Sequence, residues 1–417
     1  MLPEKKIGII SLGCARNLVD SELLLGQLDR KGYKIVDIDK ADTGIVNTCS
    51  FINDAKKQSI DVILDLIQLK KSGKIKKIIV CGCLAQRYKE KLQKELPEVD
   101  AFIGSFDLSA QNKRYPLTAN HLAYLKICEG CFNSCSFCII PKIKGRLKSL
   151  PLETLIKQAK LFDKQGVREL NIIGQDISSY GRDLYGQSRL SLLVKKILEN
   201  TRNIDWVRLL YLYPDIKVIN DLLEIMRYNR RLLKYIDLPL QHISDRILKL
   251  MRRSVSQNNI RQIIGAIRGK IPQAAIRTAF IVGFPQETDR DFKQLLNFVK
   301  EVKFERLGVF IYSPEEGTPA FKMKNQVPEK VKQERFDQIM QLQQQISTGV
   351  NLRMMGQVVD VLIEEEENGV YIGRSQHDAP EVDGNVFVKF KRKLLAGDLV
   401  RVKITDTMEY DLVGEAI

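Results

Sequence analysis

Short apolar, β-branched runs alternate with helix-period stretches through most of this chain, and that alternation leaves few folds open. "KIGIISLGC" precedes the amphipathic "LVDSELLLGQLDRKG", "DTGIVNTC" precedes "DAKKQSIDVILDLIQLKKSG", and "KIKKIIVCGC" precedes "LAQRYKEKLQKEL". Repeats of this kind predict a parallel α/β sheet over residues 1–118. A second series follows over residues 119–348, with strands expected at "AYLKIC", "ELNIIG", "WVRLLYLYP", "YIDLPL", "IRTAFIVGF" and "RLGVFIYSP". Six βα units fall short of the eight that close a barrel, so an open, partial (β/α)6 barrel is predicted. From residue 349 to 417 the period changes to two, around Gly and Asn turns, as in "QVVDVLIEE", "GVYIGRS" and "NVFVKF". That pattern predicts a small antiparallel β-barrel of about five strands, similar to OB-type folds. The glutamine-rich "ERFDQIMQLQQQIS" leads into it, and no low-complexity linker separates the three parts, so they are expected to pack together.

The cysteines fall at telling places on this frame. In an open parallel sheet the C-terminal strand ends line one edge, where ligands bind. Cys14, Cys49 and Cys83 each follow one of the first three strand runs, so three thiols distant in sequence converge at one edge. One such residue would read as a small buried side chain; three in register with the repeat predict a metal or cluster site. Cys81 lies inside a strand run and reads as core. No run approaches the roughly 18 apolar residues of a membrane span, and "MLPEKKIGII" lacks the features of a signal peptide. A cytoplasmic location, with reduced thiols, is therefore expected, and eight cysteines there point to ligation or catalysis rather than disulfides.

Four more cysteines crowd into "KICEGCFNSCSFCIIPKIKGR". Cys131, Cys135 and Cys138 have CxxxCxxC spacing, and adding Cys128 raises an alternative of four ligands for zinc or a closed cluster. Two local features favour three ligands: Cys128 falls within the strand pattern of "YLKIC", and Phe137 immediately precedes the last cysteine. Three cysteines leave one iron of a four-iron, four-sulfur cluster open to a small molecule, and an aromatic beside it can pack on that molecule's base. Other residues sit just after strands: Gln175 and Asp176 in "NIIGQD", Gln241 and His242 in "PLQH", and Gly283 in "FIVGFPQET", where glycine permits close backbone approach. The basic run Lys142, Lys144, Arg146 and Lys148 reads by default as a solvated face, or else as an anchor for a carboxylate or acidic substrate.

The three-cysteine loop, its aromatic and the partial barrel together resemble the radical S-adenosylmethionine superfamily. The resemblance implies that the amine and carboxylate of S-adenosyl-L-methionine chelate the open iron, with Phe137 near the adenine and Gln175, Gln241 and Gly283 as further cofactor contacts. One electron then cleaves the sulfonium to give a 5′-deoxyadenosyl radical. With the N-terminal three-cysteine domain and the terminal barrel, the whole chain is similar to the methylthiotransferase family, whose last domain is a TRAM barrel used in substrate recognition. There the first domain holds a second 4Fe-4S cluster through cysteines that match Cys14, Cys49 and Cys83, and a C–H bond becomes C–S–CH₃ at the expense of two cofactor molecules. "SLGCARNLVDSE", "SSYGRDLYG" and, above all, "GRSQHDAPEVDG" resemble the branch that modifies the β-carbon of an aspartate in ribosomal protein S twelve rather than the branch that modifies tRNA. Ala15 and Arg16 depart from the Pro and Lys more usual beside Cys14; neither can ligate metal. The reaction also implies an electron donor such as flavodoxin or ferredoxin.

Charge gives a separate argument. The chain carries +15, but residues 349–417 hold eight Lys and Arg against thirteen Asp and Glu, a net −5, which leaves +20 on the rest. A barrel that gripped tRNA should be basic; an acidic one suits a very basic protein. Two alternatives stay open: methylthiolation of an adenosine in tRNA, and a non-catalytic, zinc-stabilised ribosome-binding protein with closed four-ligand sites. No membrane partner is expected.

Overall fold

The computed structural model describes residues 5–104 and 114–417; residues 1–4, within the stretch read for a signal peptide, and 105–113, near the expected end of the first segment, lie outside it. The first sheet comprises β1 (Lys6–Ser11), β2 (Lys34–Ile35), β3 (Thr43–Thr48), β4 (Lys77–Gly82) and β5 (Ala101–Phe102). Its order is β2-β1-β3-β4-β5 with every pairing parallel. Helices α1 (Ala15–Arg30), α2 (Asn53–Lys71) and α3 (Cys83–Glu95) follow β1, β3 and β4. Order reverses between β1 and β3, the kind of switch point at which open sheets bind ligands. The helices form because their apolar residues recur at helical spacing; Ile63, Leu66 and Ile67 of α2 pack on Val46, Ile78 and Val80 of the sheet.

All six strands expected in the middle segment form: β6 (Leu122–Lys126), β9 (Glu169–Ile173), β10 (Trp206–Leu209), β11 (Tyr235–Asp237), β12 (Ala275–Val282) and β13 (Arg306–Ile311). They make two three-stranded parallel sheets joined by a bridge from Val207 to Leu232, giving an open arc in the order β6-β9-β10-β11-β12-β13. Around them run α4 (Ile140–Ile143), α5 (Leu152–Lys164), α6 (Arg182–Tyr185), α7 (Leu190–Asn200), α8 (Ile216–Tyr228), α9 (Asp245–Leu250), α10 (Gln257–Lys270), α11 (Asp289–Val302) and the long α12 (Glu329–Leu352). Two details differ from the sequence reading. Strand β6 is buried at every position because helices and lumen cover both its faces. Cys128 lies outside it, in the two-residue β7 (Cys128–Glu129), which pairs antiparallel with β8 (Lys148–Ser149) and clasps the base of the cysteine loop.

The last unit is a closed barrel of β14 (Val358–Glu367), β15 (Val370–Ser375), β16 (Val386–Lys389), β17 (Leu399–Thr407) and β18 (Leu412–Ala416), ordered β14-β15-β16-β18-β17. One pairing, β16 with β18, is parallel, which corrects the all-antiparallel expectation. Strand β17 crosses the barrel, so the chain returns beside β16 in the same direction.

The segment after β15 does not stay with this barrel. It enters the inner face of the partial barrel and, together with Arg374 at the end of β15, meets a residue from each of the six strands. Arg374 donates to Glu169 at 2.7 Å, Glu169 also accepts from Arg208 at 2.7 Å, and Arg208 reaches the Gln376 carbonyl at 3.2 Å. Asp378 accepts from Arg306 Nε at 2.9 Å. Asp383 accepts from the Tyr235 hydroxyl at 2.6 Å and pairs with Arg277 at 3.5 Å, while Glu381 accepts from Tyr124 at 3.4 Å. Ala379 joins the apolar cluster of Leu122, Trp206 and Tyr235. The loop is thus a polar plug. Among the described residues no helix is long and apolar enough to cross a membrane.

Burial alone would raise the Glu169 carboxyl, yet Arg374 and Arg208 hold it down to about 2. A carboxyl whose folded value lies below its unfolded one contributes stability above the unfolded value, and that contribution fades as pH falls toward the folded one. Replacing Glu169 by Gln leaves Arg208 buried without its carboxylate and Arg374 with Glu364 alone, and should cost about 3–5 kcal/mol in denaturant unfolding. The difference from the wild type should be full above about pH 4.5 and shrink toward pH 2.

Candidate active site

Each cysteine of the first triad sits at a strand–helix junction of the first sheet. Cys14 is the N-terminal cap of α1, Cys49 follows β3 directly, and Cys83 opens α3. Polar side chains stitch the three junctions together. Asn17 donates to the carbonyls of Leu12 at 2.7 Å and Thr48 at 3.1 Å, Asn47 donates to the Asn17 carbonyl at 2.8 Å, and the Thr48 hydroxyl donates to the Cys81 carbonyl at 2.6 Å. Ser59 of α2 brackets Cys49, accepting from its N–H at 3.0 Å and donating to its carbonyl at 2.9 Å. Gly82 holds φ +89°, and a Cβ there would fall 2.2 Å from Asn47 Oδ1, so only glycine lets β4 turn into Cys83 beside β3.

The loop of Cys131, Cys135 and Cys138 is held from several sides of the barrel rim. Ser136 donates its N–H to Met251 O at 3.0 Å and its hydroxyl to Leu250 O at 2.7 Å, and accepts from the Ala320 N–H at 2.9 Å. Asn133 donates to Asp176 at 2.7 Å. Arg253, stacked 4.1 Å from the Tyr213 ring, lies 4.0 Å from Cys135 Sγ.

The two triads face one seam between the first sheet and the barrel. Arg16 spans it, with Nε donating to Cys14 Sγ at 3.4 Å, Nη1 donating to the Gly174 carbonyl at 3.1 Å, and its guanidinium 4.3 Å above the Tyr211 ring. Beside it, Asp20 of α1 pairs with the fully buried Lys126 and with Lys144, and both lysines pair with Glu129. Lys144 therefore is not part of a solvated face; its side chain is 4% exposed because Asp20 and Glu129 neutralise it, whereas Lys142, Arg146 and Lys148 are exposed as expected. At the far side of the seam Glu315 clasps Lys56 at 2.9 Å and Arg87 at 2.7 Å.

A cavity of about 730 Å³ opens between α2 and the barrel, walled by Phe51, Asp54, Phe137, Gln241, Phe310 and Tyr312, among others. Phe137 also packs on Phe284 and Tyr312. Gln241 holds φ +74°, a strained conformation for a non-glycine residue and one that clusters at functional sites. Other rim residues do not join this wall. Gln175 donates to Glu129 at 2.7 Å. At Gly283 the space a Cβ would need is filled by Lys332 of α12, 2.2 Å away, so the close approach there is to a helix. His242 is fully buried near Glu287, and burial pushes its imidazole down to about 3, so it remains neutral. Sequence reasoning missed Arg16, Asp20, Lys126, Glu129 and Arg253; the contacts of Arg16 with Gly174, Asp20 with Lys126 and Arg253 with Cys135 each join residues more than a hundred positions apart.

Three family models match in succession: Uncharacterized protein family UPF0004 over residues 6–104, the Radical SAM superfamily over 125–299, and the TRAM domain over 355–417. The chain is 45% identical to the ribosomal protein uS12 methylthiotransferase RimO of Clostridioides difficile (strain 630), with 99% of each chain covered. It is 46% identical to the protein of that name from Thermoanaerobacter sp. (strain X514), covering 99% of this chain and 100% of that one. The chain belongs to the ribosomal protein uS12 methylthiotransferase family. Among solved structures, the radical S-adenosylmethionine methyltransferase TsrM from Kitasatospora setae, bound to cobalamin and a [4Fe-4S] cluster, aligns with a TM-score of 0.52 at 9% identity, covering 88% of this chain and 80% of that one. The cobalamin-dependent S-adenosylmethionine radical enzyme OxsB aligns with a TM-score of 0.51 at 12% identity, covering 82% and 56%. At such identities these two speak for the fold.

Membership implies 4Fe-4S clusters and S-adenosyl-L-methionine, and the thiols suit such clusters. All eight cysteines are unbridged, but they fall into two classes: Cys81 and Cys128 are buried, and the six of the two triads are partly open. Burial drives the Cys81 and Cys128 thiols well above their usual range, and Cys81 donates to the Val46 carbonyl, a core contact. Within each triad the thiols feel one another's charge. Among the described residues, however, no three His, Cys, Asp or Glu side chains are gathered at single-ion spacing. A cubane binds each thiolate through a different iron and so spreads its ligands further than one zinc does. Burial pushes the Cys83 and Cys138 thiols up to about 12, whereas at Cys14 Arg16 outweighs burial and lowers the thiol.

Iron and sulfide analysis of anaerobically reconstituted protein tests this division. Cys81→Ala and Cys128→Ala should keep the full iron content. With one cluster expected on each triad, Cys49→Ala or Cys135→Ala should each lose about half of it.

Proposed function

We propose that this chain methylthiolates the β-carbon of an aspartate in ribosomal protein uS12, with residues 1–118 holding the auxiliary cluster, 119–348 the radical cluster and cofactor, and 349–417 contributing to substrate recognition. The observation that carries the reading is the meeting of two three-cysteine edges across one seam, in a chain related over its whole length to uS12 methylthiotransferases. Cys14, Cys49 and Cys83 would hold one cluster; Cys131, Cys135 and Cys138 would hold the other. When bound, the clusters and S-adenosylmethionine supply a site for the sulfur, its methyl group and the one-electron chemistry needed to activate an aliphatic C–H bond.

The chain's own residues position and shield that chemistry. Phe137 offers an aromatic wall to an adenine in the cavity, and Gln241 offers an amide on the same wall. Asp20, Lys126, Lys144 and Glu129 fix the first sheet against the cysteine loop in a buried, mutually neutralised set. The Glu315 clasp joins α2 and α3 to the rim and limits the entry of water. Flavodoxin or ferredoxin is the kind of electron donor this chemistry needs, and the cytoplasm is where such a donor and new ribosomal proteins meet.

The tRNA alternative is not favoured by the relatives. The charge of the terminal barrel is a weaker argument than its composition implies: Glu364, Asp378, Glu381 and Asp383 all contact groups of this same chain.

Reconstituted protein should be incubated anaerobically with reductant, sulfide and S-adenosylmethionine, with uS12 and total tRNA offered separately. A methylthio mass gain on a single uS12 aspartate, with tRNA unchanged, is expected; gain on tRNA alone would overturn the assignment. Phe137→Ala should weaken equilibrium binding of S-adenosylmethionine about tenfold, the effect of losing roughly 1.4 kcal/mol of aromatic contact.

A further inference from the structure

We infer that Arg16 is the residue that takes the side-chain carboxylate of the target aspartate, and so determines specificity for aspartate; the inference rests on the function proposed above. Four observations support it. The first is place. Arg16 touches Cys14 on the auxiliary side and Gly174 at the barrel rim, so its guanidinium lies between the two triads. A substrate carbon that loses hydrogen on one side and gains sulfur on the other must occupy that gap.

The second is unused capacity. A guanidinium carries five N–H donors. Nε and one N–H of Nη1 have acceptors; among the described residues nothing accepts from Nη2. The third is charge. Lys126 and Lys144 are balanced by Asp20 and Glu129, and Glu129 also accepts from Gln175. Arg16 makes no ion pair with a carboxylate among the described residues; the opposing charge it feels most is that of Cys14, to which it donates, with a smaller pull from Glu129.

The fourth is preorganisation. Tyr211 lies under the guanidinium and holds φ +68°, with its N–H donating to Asp237 at 2.7 Å. The stacked ring fixes the plane of the fork, which lowers the ordering cost of a two-point grip on a carboxylate. Because the carboxylate is one bond from the β-carbon, gripping it also fixes the reacting atom. Asparagine has nearly the same shape and lacks the charge, so the site should reject it.

The methionyl carboxylate of the cofactor offers the same chemistry from another source, and the experiment separates the two. Binding of uS12 to cluster-loaded enzyme is measured without reductant, using uS12 with its target aspartate intact or replaced by asparagine, and using wild type, Arg16→Gln and Arg16→Lys. Affinities are expressed per cluster-loaded molecule. Wild type should prefer the aspartate form about tenfold or more. Arg16→Gln should bind both forms alike, near the wild-type affinity for the asparagine form, and Arg16→Lys should regain part of the preference. Equal weakening of both forms by Arg16→Gln, with discrimination intact, would make Arg16 a structural bridge and overturn the inference. Loss of S-adenosylmethionine affinity with discrimination intact would assign the carboxylate to the cofactor and overturn it equally. A wild type that adds no methylthio group to uS12 would overturn the underlying function, and this inference with it.

Discussion

A buried set of four charges holds the two cysteine-bearing edges of the seam in register. Asp20 comes from the helix that Cys14 caps, Lys126 from the first barrel strand, and Glu129 and Lys144 from the two ends of the cysteine loop. Taking these groups out of water is costly, and a purely apolar contact of the same size could hold the domains together at least as well. Charges, however, tolerate few alternative pairings. The set therefore defines the offset of one cysteine edge against the other, and a sulfur donor and a radical source must share one substrate carbon.

The inner face of the partial barrel depends on the same kind of interaction. The six parallel strands form an open arc, and its lumen carries Glu169, Arg208, Arg277 and Arg306, which are only partly paired within the arc, through Glu169 with Arg208 and Asp237 with Arg277, and need further partners. The terminal barrel supplies those partners through one loop. Its acids meet the lumen's cations, and Arg374 meets the carboxylate between them. The small barrel is thereby part of the enzyme's core as well as a surface appendage, and its acidity is partly internal.

Much of the site was legible because it is written in local period. A cysteine directly after an apolar run and directly before a helical one must lie at a strand–helix junction, so Cys14, Cys49 and Cys83 could be placed on one edge. The loop spacing and Phe137 were similarly local. Gln175, Gly283 and Lys144 were less tractable. Gln175 turns to Glu129, Lys332 fills the space beside Gly283, and Lys144 is drawn inward by Asp20, each a contact with a residue outside the motif that had drawn attention to it.

The chain's sequence by itself determined the alternation of strand and helix, the closing five-stranded barrel and the two cysteine triads, because side-chain periodicity and turn chemistry act over a few residues. Tertiary structure alone decided that the two edges share a seam, that the acids of "GRSQHDAPEVDG" point into the lumen, and that Arg16 is left without a carboxylate. Those outcomes depend on pairs of charges more than two hundred residues apart, such as Glu169 and Arg374 or Lys56 and Glu315. The penalty for burying a charge falls only when its distant partner arrives, and local pattern carries no record of that partner.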